Sequence, residues 1–550
     1  MNTLPIITGL LGLGIVFLMI PLILKLSRHT KWFVRTPDLH HTHKTPIPRV
    51  GGIALAAAFL GIEAFLAIYF PEQGNAHQLH IVVASSLAMF AIGLWDDIWS
   101  LGAKRKLLAQ ILIAWVVCNF GVGIESFKIP FTEKIIQLGA WGGVITVVWL
   151  VSMTNLINLI DGVDGLAGGI CLMLMALLAY VGHQSGNLEL VACGMVGALL
   201  GFLWFNFPPA RIYMGDGGAY FLGFQIGLFT IVNSQKGTIL PALVAPLFVL
   251  ALPILDTSLA ILRRGLRGLP VFRPDRKHIH HRLIDMGLSR RKVVLCLYAV
   301  TLLFLVMGFT AFASRGNLVP ALLGVAALVL VLCAGNLRFS REWFAVGRVV
   351  GNSLNMREDV RYALCLTRWL TLEGSRRKSV EGLWSDLVFM AQRLGFTSVK
   401  LTLADGQRIW KQDGRGETTH FARHELQGGI FGVLEVKSHS SPADDPDSTL
   451  AIQFPVQVSN QDASNDVADA NSTASIRSIE ESRPAIEDPK LFEIVSELLA
   501  EGWMKATRKW KRGSRAPLRF DSKVPAQWDK PQRKPMNRVP VLHGIPIESQ

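Results

Sequence analysis

Residues 141–182 read "WGGVITVVWLVSMTNLINLIDGVDGLAGGICLMLMALLAYVG". Two apolar runs, 141–159 and 166–182, meet at an acidic, glycine-bearing hinge. Each run approaches the ~20 residues that an α-helix needs to cross the hydrocarbon core of a bilayer. Asp161 and Asp164 then sit where two spans meet water, three residues apart, so that a helical turn would place both on one side. Outward from this hinge the pattern repeats. Further apolar runs lie near 4–26, 51–70, 79–95, 107–124, 188–206, 218–234, 239–262, 293–313 and 318–336. The expected fold is a polytopic α-helical membrane protein of about eleven transmembrane helices.

The totals agree with that class and limit the alternatives. The chain has 550 residues, half of them hydrophobic (50%), and a mean hydropathy of +0.36. That average conceals a shift near residue 337, beyond which charge and polarity dominate. The first apolar run has no basic residue before Lys25 and no small-residue cleavage site after it, so it reads as a retained helix. The six cysteines show no CxxC pairing, which argues against a disulfide framework or a zinc site. A net charge of +14 fits basic loops lying against anionic lipid, and no nucleic-acid partner is expected.

The basic residues are unevenly placed among the loops. The first loop carries Arg28, Lys31, Arg35, Lys44 and Arg49, and the third Lys104, Arg105 and Lys106. The ninth is richest, from Arg263 to Arg291, whereas 71–78 and 183–187 contain no Lys or Arg. The positive-inside rule therefore puts the odd-numbered loops and the C-terminal region in the cytoplasm and the N-terminus outside. The unusual polar residues fall on the same side. Asp96 and Asp97 start the third loop, Asp161 and Asp164 lie in the fifth, Asp216 lies in the seventh, and Asp256 sits towards the cytoplasmic end of the ninth span. His278, His280 and His281 belong to the ninth loop.

Carboxylates crowded at one mouth repel unless a cation sits among them. Oxygen ligands without thiolates suit Mg²⁺, with Mn²⁺ as the other option. Mg²⁺ takes only one or two protein carboxylates and leaves its other positions to water and phosphates. Arg273, Lys277 and the neighbouring histidines supply the opposite charge for phosphates, although a histidine cluster can also bind a metal itself. Metal, acids, imidazoles and cations at one membrane face suit phosphoryl transfer to or from a lipid.

Five motifs in order carry a resemblance. They are "HKTPIPRVGG" (43–52), "DDIWSLGAKRK" (96–106), "NLINLIDGVDGLAGG" (155–169), "NFPPARIYMGDGGAYFLGF" (206–224), and "PILDTSLAILRR" (253–264) with "DRKHIHHRL" (275–283). Over roughly residues 30–300 the chain resembles the polyprenyl-phosphate N-acetylhexosamine-1-phosphate transferases, glycosyltransferase family 4. These are the bacterial WecA/TagO-type enzymes, relatives of phospho-N-acetylmuramoyl-pentapeptide transferase. The resemblance implies transfer of a sugar-1-phosphate, most often N-acetylglucosamine-1-phosphate, from a UDP-amino sugar to undecaprenyl phosphate, releasing UMP and initiating a cell-envelope polysaccharide. It implies Asp97 and Asp216 around Mg²⁺, and Asp96 as partner or base for the lipid phosphate. Lys104 and Lys106 would meet that phosphate, and Asn158, Asp161 and Asp164 the nucleotide. His278, His280, His281 and Arg273 would hold the diphosphate or sugar, with His280 and His281 catalytic, and His43 and Arg49 are further substrate contacts. The stretch "TPDLHHTHKTPIPRVGG" (36–52) departs from the forms usual in relatives, with His40 and His41 beside the matching His43 and Arg49. On this expectation Asp97→Asn and Asp216→Asn both abolish most activity.

A phosphate monoester is largely dianionic at neutral pH, with a second pKa near ~6, so it needs little help from a base. That favours direct attack by the lipid phosphate, with Asp96 or Asp97 orienting it, over an aspartyl-phosphate intermediate. The expected domains are 1–336 for the membrane transferase and 337–438 for a cytoplasmic helix plus small α/β domain that vaguely resembles a GAF-type domain. A Ser/Asp/Asn-rich linker follows at 439–489, then an amphipathic helix with a basic end at 490–513 and a disordered basic tail at 514–550. The rivals are a muramoyl-pentapeptide-type transferase, a CDP-alcohol phosphotransferase, and, from another class, a secondary transporter with acids near the midplane. Oligomeric state, a homodimer among the options, stays open.

Overall fold

In hydrocarbon every backbone N–H and C=O must be satisfied within its own segment, so the apolar runs fold as helices. The computed structural model describes residues 3–27, 47–70, 76–99, 101–128, 135–185, 188–234, 239–266, 269, 279, 283–284, 286–314, 317–336, 346–412, 418–427, 429–439, 486, 488–514, 517–520 and 527–528. They form two compact units, Met1–Thr36 with Thr42–Gly351, and Pro37–His41 with Asn352–Gln550.

The first unit contains α1 (Leu4–Ser27), α2 (Gly51–Tyr69), α3 (Ala76–Ile98), α4 (Ala103–Asn119), α5 (Ala140–Ile160), α6 (Leu166–Ser185), α7 (Glu189–Asn206), α8 (Gly215–Ser234), α9 (Ile239–Val249), α10 (Ala251–Leu266), α11 (Arg290–Ala313) and α12 (Val319–Asn336). A short antiparallel pair, β1 (Ser126–Lys128) with β2 (Ile135–Gln137), links α4 to α5. Among the described residues seven helices are long and apolar enough to cross a membrane: α1, α2, His80–Ile98 of α3, α5, α6, α7 and α11. The bent pair Leu243–Val249 and Ala251–Leu262, angled at 73°, makes eight if it counts as one span. Multiple apolar helices of this length make the chain a multi-pass membrane protein.

α8 is the central post. It packs against α2, α3, α5, α6 and α9, and every residue from Gly217 to Asn233 is buried. A helix enclosed on all sides presents no face to lipid. Small residues let its neighbours come close. A Cβ on Gly52 would collide with Gly218, and one on Gly93 would collide with the backbone of Asp216 and Gly217. The start of α8 is thereby held between the start of α2 and the end of α3. α1 and α7 cross in the same manner, Gly12 against Gly194 and Gly197 against Gly9.

The second unit is a separate α/β fold. It comprises most of α13 (Val346–Glu373), α14 (Val380–Arg393), and a sheet of β3 (Ser398–Leu403), β4 (Gly406–Lys411), β5 (Thr418–Glu425), β6 (Val433–His439) and β7 (Gln527–Trp528), with α15 (Pro489–Ser514). The strand order is β5-β6-β3-β4-β7, antiparallel except for the parallel β4–β7 pair. A turn at residues 404 and 405 joins β3 to β4, and β5 is a strand that the sequence reading passed over. α15 spends its apolar face inside the unit: Phe492, Leu499, Trp503 and Trp510 are buried, and Trp503 Nε1 donates to Phe431 O at 3.2 Å. The basic end expected of this helix, Lys509, Lys511 and Arg512, stays exposed. Arg377 forks onto buried Asp386 through Nε and Nη2 at 2.7 and 2.8 Å.

Candidate active site

Asp96 and Asp97 lie on the last turn of α3, which runs to Ile98 and so beyond the expected span end. Adjacent residues on a helix point about 100° apart, and these two do different things. Asp96 is buried; its Oδ1 accepts the Leu101 N–H at 2.6 Å and its Oδ2 pairs with Lys106 Nζ. That links the end of α3 to the first turns of α4. Asp97 turns to α8, where Oδ1 accepts the Asp216 N–H at 3.0 Å and Oδ2 the Gly217 N–H at 2.9 Å.

Lys106 Nζ also donates to Asp216 Oδ2, at 3.1 Å, and so stands between two carboxylates. Burial works against its charge, but the hydrogen bond it donates to Asp96 and the charge of Asp216 outweigh it and hold its pKa above the ordinary lysine value. Lys104 is exposed, whereas Lys106 is half-buried. Residues two apart on a helix do not share a face, and Lys106 is the one turned to the carboxylates.

Asp161 caps the end of α5. Although the residue is not fully enclosed, its carboxyl is pushed well above the usual range, by burial first and then by the charges of Asp216 and Asp97, with Arg49 acting the other way. Asp161, Asp216, Asp97 and Arg49 therefore form one electrostatic group. Asn158 is half-buried on the last turn of the same helix.

Asp164 corrects an expectation. Residues 161–165 form turns, not a continued helix, and Gly165 takes a φ of +78°. The reversal buries Asp164, whose Oδ2 accepts the Ala210 N–H at 3.2 Å. Asn206 fastens the same hinge, its Oδ1 accepting the Gly165 N–H at 3.0 Å while Nδ2 donates to Ile212 O at 2.8 Å. Tyr298 donates to Gly165 O. Sequence reasoning missed Asn206 and Tyr298 in these roles; the one available signal was the polar Asn206 closing an apolar span.

In the ninth loop Ile279 is buried, and its N–H donates to Asp256 Oδ1 at 3.1 Å. Ile279 also lines a cleft with Ile160, Leu166, Leu252 and Leu297, beside Asp256. His43, Arg273, His278, His280 and His281 lie outside the described residues.

Asp96, Asp97, Asp161 and Asp216 face Lys106 and Arg49, so four carboxylates against two cations leave two negative charges in excess when all are ionised. A divalent cation fits that excess. Among the described residues no three His, Cys, Asp or Glu side chains converge as a ready-made cage. One or two carboxylates with the rest of the shell from phosphate and water is the pattern usual for Mg²⁺.

The chain matches the family model described as glycosyl transferase family 4 over residues 79–234. It is similar to the probable undecaprenyl-phosphate N-acetylglucosaminyl 1-phosphate transferase of Bacillus subtilis (strain 168), 33% identical over 276 residues, covering 49% of this chain and 75% of that protein. It is 33% identical over 344 residues to the decaprenyl-phosphate N-acetylglucosaminephosphotransferase of Mycobacterium tuberculosis (strain ATCC 25618 / H37Rv), covering 55% and 83%. With the undecaprenyl-phosphate alpha-N-acetylglucosaminyl 1-phosphate transferase of Escherichia coli O157:H7 it shares 26% identity over 353 residues, covering 62% and 93%.

Proposed function

The chain belongs to glycosyl transferase family 4, the polyprenyl-phosphate N-acetylhexosamine-1-phosphate transferases, and from that premise we propose that it transfers N-acetylglucosamine-1-phosphate from UDP-N-acetylglucosamine to undecaprenyl phosphate, releasing UMP. The product would initiate a cell-envelope polysaccharide. The observation that carries this reading is the gathering of Asp96, Asp97, Asp161, Asp216, Lys106 and Arg49 at one end of α2, α3, α4, α5 and α8. By the positive-inside rule the basic loops favour the cytoplasmic face of the inner membrane for that end.

Mg²⁺ would sit against Asp216, with Asp161 and Asp97 adding negative charge, and would neutralise charge on the diphosphate. Lys106 pairs with both Asp96 and Asp216 and would supply a positive charge where a phosphate enters. Asp96 is held by Leu101 and Lys106 in position to orient the attacking lipid phosphate. That phosphate attacks the sugar-linked phosphorus, and the bond to UMP breaks in line with it. The apolar cleft beside Asp256 suits the first isoprene units of the lipid. Acids at helix ends, not at the bilayer midplane, fit a surface reaction better than ion transport.

The test is purified protein with undecaprenyl phosphate, Mg²⁺ and a panel of UDP-amino sugars, reading UMP. Release with UDP-N-acetylglucosamine, abolished by EDTA and by Asp216→Asn, is expected. No release across the panel would overturn the reading.

A further inference from the structure

We propose that Asp97 is a positioning residue: from α3 it caps the N-terminus of α8, and through that cap it aims the Asp216 carboxylate. The inference rests on the transfer reaction proposed above. The first N–H groups of a helix have no partner within it, and a polar side chain just before the helix usually satisfies them. Here the residue before α8 is Met214, whose thioether is a poor acceptor. Asp97 takes over from another helix, one oxygen on the Asp216 N–H at 3.0 Å and the other on the Gly217 N–H at 2.9 Å.

Two further observations show that the start of α8 is built around this carboxylate. Gly215 has a φ of +77°, and a Cβ there would lie 2.7 Å from Asp97 Oδ2 and would also strike the Arg49 carbonyl. Gly93, one turn before Asp97 on α3, lets the backbones of the two helices touch at Asp216 and Gly217. A carboxylate is also the charge favoured at the positive end of a helix. A cation drawn onto Asp97 would compete with both N–H groups and face that same positive end. The Asp216 carboxylate meets side chains instead, Lys106 and Asp96, and its backbone N–H is the group Asp97 holds. The division of labour follows. Asp97 fixes where α8 begins, and Asp216 presents the ligand oxygen.

Three readouts on the full-length protein in lipid nanodiscs test this. In EDTA without substrate, Asp97→Ala lowers the melting temperature, and Asp97→Asn, whose amide oxygen still accepts one N–H, recovers part of the loss. Mn²⁺ bound in the presence of UDP, read by electron paramagnetic resonance, is retained in Asp97→Asn and lost in Asp216→Asn. Asp97→Ala loses about ten- to a hundredfold in kcat, the range for a group that orients a ligand, with little change in the Mg²⁺ concentration giving half-maximal rate. A metal-free melting temperature unchanged by Asp97→Ala, or Mn²⁺ binding lost in Asp97→Asn as fully as in Asp216→Asn, would overturn the proposal. Absent transfer by the unmodified protein defeats the reaction reading instead, and the metal-free melting comparison still decides the cap.

Discussion

Removing the Lys106 ammonium takes away the cation that pairs with both the Asp96 and the Asp216 carboxylate. Like charges held this close cost more than solvent relieves at a partly buried site. Lys106→Ala is therefore expected to cut kcat by about a hundredfold or more, the scale on which removal of one charge-stabilising donor acts. Lys104→Ala, at an exposed position on the same helix, is expected to act far more weakly and mainly on KM for the lipid phosphate. Steady-state UMP release for both variants measures the difference, and equal losses would show that Lys106 has no special place. Asp164→Ala should appear first as a stability loss, because its carboxylate holds the Ala210 N–H. Such a loss of a buried hydrogen bond is about 1–3 kcal/mol, and it should lower the melting temperature before it alters nucleotide affinity.

At the scale of elements, the site depends on how closely α2 and α3 approach the first turn of α8. Gly93→Ala places a methyl group against the Asp216 and Gly217 backbones. Overpacking of that kind costs about 1–3 kcal/mol and here shifts the helix end that carries Asp216. Both the melting temperature and kcat should fall. Gly14→Ala on α1, where a Cβ meets nothing within 4 Å, is the control and should change neither. The resemblance pointed to the glycines of "RVGG" and "MGDGG" only as matching letters. Their physical use is the backbone contact between helices more than a hundred residues apart in the chain.

At the scale of the molecule, all the described residues of the carboxylate cluster belong to the first unit. The second unit has its own core, with Trp384, Trp410 and Trp503 fully buried. A chain ending after residue 336 is therefore expected to keep its place in the membrane and to release UMP at a rate comparable to the full protein. Loss of transfer in a truncated protein that still binds Mn²⁺ with UDP would show that the second unit acts on catalysis. The sheet also shows why part of this unit escaped the sequence reading. β5, "TTHFARHE", alternates weakly in polarity, and it becomes a strand because β6 pairs with it along most of its length.

The sequence alone determined the class of fold and carried the expectation that the chemistry lies on the cytoplasmic side. Both follow from quantities additive along the chain: the length of apolar runs, set by bilayer thickness, and the count of Lys and Arg between them. It also supplied the candidates for the site, since Asp96, Asp97, Asp161, Asp216 and Lys106 are all polar residues at span ends. Their contacts were decided only in three dimensions. That Asp97 accepts from the first N–H groups of α8, that Asp164 accepts from Ala210, and that Lys106 stands between two acids depend on which helix ends pack together. Those choices are made by contacts such as Gly93 on α8, between residues far apart in sequence, and no local pattern records them.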